Sequence, residues 1–283
     1  LQPRDYINAH QLLVAVGLLA LGVLVAHPKV AAPAFVAAPK GAPPMLPFLF
    51  IIIACGAISG FHSLIASGTT SKQCDNEKSA RFIGYGGMLM ESTLSALVII
   101  AVAAGLGMGL STKGGQVLTG INAFNYHYSS WAAANGLSAK LESFVTGSAN
   151  MIETIGLPVK ITVGIMGVFL VSFAATTLDS ATRVQRYIIT ELASVCKVKS
   201  FTNKHAATLV AVGSAGILAF CHGSGKGALV LWPLFGTVNQ LLAGLTLLTI
   251  TVYLKRRNIN TLCTAIPMVF MVLMTGWVMV LDL

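Results

Sequence analysis

LPFLFIIIACGAISGFHSLIA, residues 46–66, contains no Asp, Glu, Lys or Arg. It is long enough to cross the hydrocarbon core of a bilayer, which takes about 20 mostly apolar residues as a helix. Its apolar side chains run right round the helix and do not alternate, so neither a one-faced surface helix nor a barrel strand fits. Six further stretches read the same way, at about 7–26, 82–107, 158–179, 205–222, 229–253 and 262–281. The fold class that follows is an all-α integral membrane protein of about seven transmembrane helices, forming a single polytopic domain. Residues 108–157 are too polar to span and are expected as an extracytoplasmic loop region with short or interfacial helices.

Composition says the same of the whole chain. Of its 283 residues, 55% are hydrophobic and 10% charged, with a mean hydropathy of +0.79. Soluble domains carry roughly 25% charged residues, so a soluble enzyme is excluded, as is disorder, which needs low hydrophobicity and high charge. The net charge of +9 does not point to nucleic acid, because its placement is topological. With the amino end in the cytoplasm, two-thirds of the 18 basic residues fall on the inside, chiefly in the loops at 67–81, 180–204 and 254–261. The positive-inside rule therefore predicts a cytoplasmic amino end and an outward-facing carboxyl end. The five cysteines show no metal-ligand spacing, so no metal and no cofactor are expected. No G-x-S-x-G elbow or H-E-x-x-H pair marks an enzyme.

Polar groups are costly in lipid, so the residues that break the apolar pattern carry the functional reading. Ser59, Ser63 and Ser67 recur at i, i+4 and i+8 and share one helix face. Gly56 and Gly60 beside them permit close approach of another backbone. This stripe reads either as plain helix packing, with hydroxyls bonded back to i−4 carbonyls, or as a water-accessible path. In the second case the run Ser67-Gly68-Thr69-Thr70, poor in helix propensity, opens the backbone and binds a substrate or cation. His62 either faces the same cavity or packs. In 81–92, RFIGYGGMLMES, Glu91 lies about ten residues into a span. Such a carboxylate is a proton-coupling group or half of a structural hydrogen bond. In 176–187, TTLDSATRVQRY, Thr176, Thr177 and Ser180 offer oxygen ligands beside Asp179. Asp179 and Arg183 stand at i and i+4, so an ion pair within the helix is the competing reading. Asn239 and Gln240 are read as interhelical hydrogen-bonding groups.

The blocks ACGAISGFHSLIASGTTSK (54–72), FIGYGGMLMES (82–92), TTLDSATR (176–183) and LWPLFGTVNQLLAG (231–244), with LQPRDYI at 1–7, resemble the carbon starvation protein A family. The resemblance implies a multi-pass transporter of the bacterial or archaeal inner membrane, linked to carbon starvation. Family members are associated with uptake of peptides, or of pyruvate coupled to protons. It also implies part of the amino acid–polyamine–organocation (LeuT-like) fold, in which discontinuous helices surround a central site. Ser67–Thr70 would then be the broken helix, and Thr176, Thr177 and Ser180 a cation-site helix. The family's proteins are substantially longer, and the chain opens without Met, so amino-terminal helices of the same transporter are expected to be missing here.

The expected function is secondary active import of small peptides or pyruvate-like carboxylates. Ser67, Gly68, Thr69 and Thr70, with His62 and Ser63, line the path. Either Glu91 or Asp179 carries a coupling proton, or Thr176, Thr177 and Ser180 hold a sodium ion. The alternative is a membrane-embedded nutrient sensor that binds a metabolite without moving it.

Overall fold

A computed structural model describes all residues but 1, 37–38, 113, 135, 222, 224–226 and 282–283. In chain order its helices are α1 (Gln2–Ala26), α2 (Phe50–Ala57), α3 (Gly60–Ile65), α4 (Glu77–Ala103), α5 (Gly120–His127), α6 (Trp131–Ala134), α7 (Leu137–Glu153), α8 (Val159–Val195), α9 (Lys204–Phe220), α10 (Trp232–Arg256) and α11 (Leu262–Leu281). A two-stranded antiparallel hairpin, β1 (Leu110–Ser111) and β2 (Val117–Leu118), follows α4.

Among the described residues, six helical stretches are long and apolar enough to cross a membrane: Pro3–Ala26, Met45–Thr70, Glu77–Met108, Val159–Val195, Leu234–Arg256 and Leu262–Leu281. The expected count of seven is therefore not reproduced. The stretch expected at 205–222, whose last residue lies outside the described residues, is α9, a shorter apolar helix of 17 residues. At 1.5 Å per residue it is about 25 Å long, below the roughly 30 Å of the hydrocarbon core. The stretch expected at 158–179 departs in the other direction. Its helix, α8, continues to Val195 over 37 residues, about 55 Å.

Caps explain where the long helices stop. α4 starts at Asn76, whose side chain accepts the Ser79 N–H at 3.0 Å, filling one of the orphan donors of a helix start. α8 and α10 both end on a left-handed residue, Lys197 (φ 59°) and Asn258 (φ 56°). In each, the following amide reaches back five residues: Val198 to Ala193 O at 2.8 Å and Ile259 to Leu254 O at 3.0 Å.

The chain divides into two compact units, one made of Leu1–Ala42 and Asn76–Thr177, the other of Pro43–Asp75 and Leu178–Leu283. In the first, Ala15, Leu19, Leu97, Ala101, Phe144, Met151, Ile152, Met166 and Phe169 form the core, drawn from α1, α4, α7 and the start of α8. The segment expected as a loop region thus contains α7, one of the core's main contributors. It fits because glycine meets backbone: a Cβ on Gly147 would overlap the Ala101 carbonyl, and one on Gly105 would overlap the Gly147 carbonyl. Asn150 then donates to Gly105 O at 2.9 Å and Gly109 O at 2.7 Å, satisfying carbonyls left over where α4 ends.

In the second unit α10 and α11 form a helical hairpin. It is closed by the Thr251–Thr264 hydroxyl bond at 2.8 Å and by Gly244, where a Cβ would sit 3.0 Å from Val272 Cγ2. Met271, Met274, Thr275 and Val278 of α11 are buried. Phe50 of α2 meets Phe270 of α11 edge to face at 4.9 Å. Large apolar side chains such as Leu13, Phe82, Val171 and Leu209 remain exposed on the helices of both units, an arrangement that suits lipid and not water.

Candidate functional site

The helix expected to open at Ser67–Thr70 opens elsewhere. Phe50–Ala57 and Gly60–Ile65 are separate helices, and between them Ser59 is extended, at φ −113° and ψ 135°. The Ser67–Thr70 run instead continues the helix as a widened turn, Ala66–Thr70. Its hydroxyls bond back along the chain, Ser67 to Ser63 O at 2.8 Å and Thr69 to Ile65 O at 3.0 Å. Back-bonding of this kind keeps Ser and Thr inside a helix. Of the two readings of this stripe, back-bonded packing is the one these bonds match; freed carbonyls at 67–70 are corrected on this ground, and the break lies at Ile58–Ser59.

A break inside a membrane helix strands backbone donors and acceptors at a cost of several kcal/mol each unless other groups meet them. Here α10 meets them. Asn239 Oδ1 accepts the Phe61 N–H at 2.7 Å, and its Nδ2 donates to Ser59 Oγ at 2.8 Å and Cys55 Sγ at 3.2 Å. Gln240, with its amide turned as its neighbours require, donates to Ile58 O and accepts the Cys55 N–H, each at 2.7 Å. Both amides are buried, Gln240 completely. Gly60 makes the approach possible, since a Cβ there would overlap Asn239 O and lie 2.6 Å from Leu242 Cβ. One turn on, Ser63 Oγ donates to Gly60 O at 2.6 Å and accepts from Thr246 at 3.0 Å.

The remaining candidates of this unit lie along the same side of the break. His62 and Ser67 are exposed, Gly68 and Thr70 half-buried, and Thr69 buried. Gly68 faces Val184 of α8, and Lys72 Nζ sits 4.5 Å over the Tyr187 ring. The Ser67–Thr70 turn therefore rests against α8 next to Arg183. Arg183 is itself bonded to Asp179 at 2.8 Å, the intrahelical pair that the i, i+4 spacing allowed. Ser180 is half-buried.

Glu91, Thr176 and Thr177 belong to the other unit. Glu91 is residue fifteen of α4, a helix of 27 residues, and has no partner among the described residues. It opens on a cleft of about 560 Å³ lined by Gly86, Gly87, Leu94, Leu12 and Phe173, among others. One turn beyond Leu12 and Phe173, Asn8 donates to the Thr176 hydroxyl, a partnership that nothing in the sequence reading anticipated. Thr177 donates to Phe173 O at 2.9 Å.

An interrupted helix spliced by neighbouring amides, together with a lone carboxylate in the middle of an apolar helix, defines a multi-pass membrane protein with polar groups set at depth. The chain belongs to the carbon starvation protein CstA family, whose profile matches residues 1–278. It is 30% identical to the "Pyruvate/proton symporter BtsT" of Escherichia coli (strain K12), over 100% of this chain and 48% of that protein. It is 33% identical to the "Peptide transporter CstA" of Mycobacterium tuberculosis (strain ATCC 25618 / H37Rv), over 91% of this chain and 40% of that protein. With the "Peptide transporter CstA" of Escherichia coli (strain K12) it shares 30% identity over 98% of this chain and 46% of that protein. The chain thus spans a little under half the length of these relatives. No solved structure matches it.

Proposed function

We propose that the protein acts in a secondary active transporter that imports small peptides or pyruvate-like carboxylates during carbon starvation. The interrupted helix at Ile58–Ser59 carries this reading. Discontinuous helices recur around the central sites of transporters, and this one is held together by two buried amides. Relatives named as a pyruvate/proton symporter and as peptide transporters support the same class. The path runs along the second half-helix, past His62, Ser63, Ser67, Gly68, Thr69 and Thr70. Glu91 carries the coupling proton, because Asp179 is already neutralised by Arg183 and Glu91 is not. Thr176 accepts from Asn8 and Thr177 bonds to its own helix, which leaves the Thr176, Thr177 and Ser180 set less suited to sodium.

The protein resides in the cell's inner membrane with its amino end cytoplasmic, in line with the basic inner loops. An outward carboxyl end requires α9 to cross the bilayer; reporter fusions after Arg257 and after Leu281 decide that. The transport reading is tested by measuring uptake of pyruvate and of trialanine with the proton and sodium gradients collapsed in turn. Accumulation that vanishes with the proton gradient alone supports it. Saturable binding without flux would favour a sensor.

A further inference from the structure

Asn239 and Gln240 do more than join two helices. An uninterrupted helix orients its own second half through backbone bonds; here Ile58 N–H still reaches Ala54 O at 2.7 Å, and the bonds that would follow it from Ser59, Gly60 and Phe61 are absent. Their places are taken largely by side chains on α10: Oδ1 of Asn239 accepts the Phe61 N–H at 2.7 Å, beside the weaker cap from Ser59 Oγ at 3.2 Å, and Gln240 serves as the donor to Ile58 O. Asn239 also holds both sides of the break at once, through Cys55 in the first half-helix and through Ser59 and Phe61 at the start of the second. Only an amide both accepts and donates in this way; a carboxylate or an alkyl group of the same shape loses one or both functions.

We propose that Asn239 and Gln240 are positioning residues for the carried substrate, setting the angle at which Gly60–Thr70 leaves the break and so the placement of His62, Ser63 and Ser67–Thr70. This rests on the transport reading above.

The test uses the protein as its host makes it, with uptake of pyruvate and of trialanine measured as KM and maximal rate. Alkylation of the native Cys55 by N-ethylmaleimide is read by mass spectrometry in parallel. Asn239→Asp, Asn239→Ala and the milder Ser59→Ala are compared with Thr246→Val, which removes a bond to Ser63 on the far side of the break. The expected result is a KM raised about tenfold in the Asn239 variants, which lose all three side-chain bonds as Ala and the two donated ones as Asp, and about threefold in Ser59→Ala, which loses the bond from Asn239 and the cap on Phe61. The maximal rate changes less than KM, Cys55 is alkylated severalfold faster in the Asn239 variants, and Thr246→Val stays close to wild type. If the Asn239 variants fail to accumulate, Ser59→Ala decides: an unchanged KM with unchanged Cys55 alkylation overturns the proposal. If the wild-type protein carries neither probe, the transport reading falls and alkylation alone tests the splice. Faster labelling of Cys55 in Ser59→Ala then supports it and equal labelling overturns it.

Discussion

The two units solve the same packing problem in opposite ways. In the first, helices meet where glycine lets backbone touch backbone, Gly105 and Gly147 against the α4 end, and the core around them is apolar. In the second, the closest approach is again at a glycine, Gly60, but what fills the contact is a pair of buried amides at a helix break. Backbone-to-backbone contact admits one geometry. Amide bonds can be exchanged for others of similar energy. The first unit is joined through backbone contacts at glycine, the second through side-chain bonds at a helix break.

The sharpest way to break this contrast is to put a methyl group into the backbone contact. Gly147→Ala forces a Cβ into the Ala101 carbonyl and is expected to destabilise the protein by about 3 kcal/mol, the upper end of overpacking costs. Its folded fraction in detergent and its level in the membrane should both fall sharply. Gly87→Ala is the matched control. A Cβ there meets nothing within 4 Å, and Ala is the better helix former, so this variant should be as stable as wild type. Equal behaviour of the two would show that the glycine contact does not hold the first unit together.

The second comparison sets the two acids against each other. Glu91→Gln is expected to lower gradient-driven accumulation by about 30-fold or more, the scale of losing a proton-transfer group, while the protein still inserts. Asp179→Asn removes a half-exposed intrahelical pair worth under about 1 kcal/mol, so uptake should stay within about threefold of wild type. The reverse ranking would move proton coupling to α8.

Much of this architecture was legible in the sequence, because membrane crossing is written in length and apolarity, which are local properties. The Asp179–Arg183 pair was legible for the same reason: four residues apart on one helix is enough. The break was misread because the groups that satisfy it are not local. SGTT at 67–70 has the poorer helix propensity, yet its hydroxyls find carbonyls one turn back and stay helical. CGAISGF at 55–61 carries two glycines that its immediate neighbours lack, and where it breaks, Asn239 and Gln240, some 180 positions away, meet the freed groups. α7 was missed for a related reason. Residues 108–157 are too polar to span as a sequence, although Ser143 and Ser148 of α7 are buried and Asn150 bonds to Gly105 O just past α4. Gly147 amid those small residues was the available signal.

The smallest expected effect separates the joint from the packing around it. The single Thr246 hydroxyl proton on α10 is shared between Ser63 Oγ at 3.0 Å and Leu242 O of its own helix at 2.9 Å. Ser63 keeps its own bond to Gly60 O whatever happens to Thr246. Thr246→Val therefore deletes that one shared proton while Ser63 keeps its own bond, and should cost no more than about 1 kcal/mol of stability. It touches the same two helices as Asn239 but lies on one side of the break, so it cannot alter the angle between the half-helices. A loss of uptake in Thr246→Val as large as in Asn239→Ala would mean that any contact between α3 and α10 matters equally. A near-normal KM alongside slightly lowered thermal stability would confine the functional role to the amides at the break.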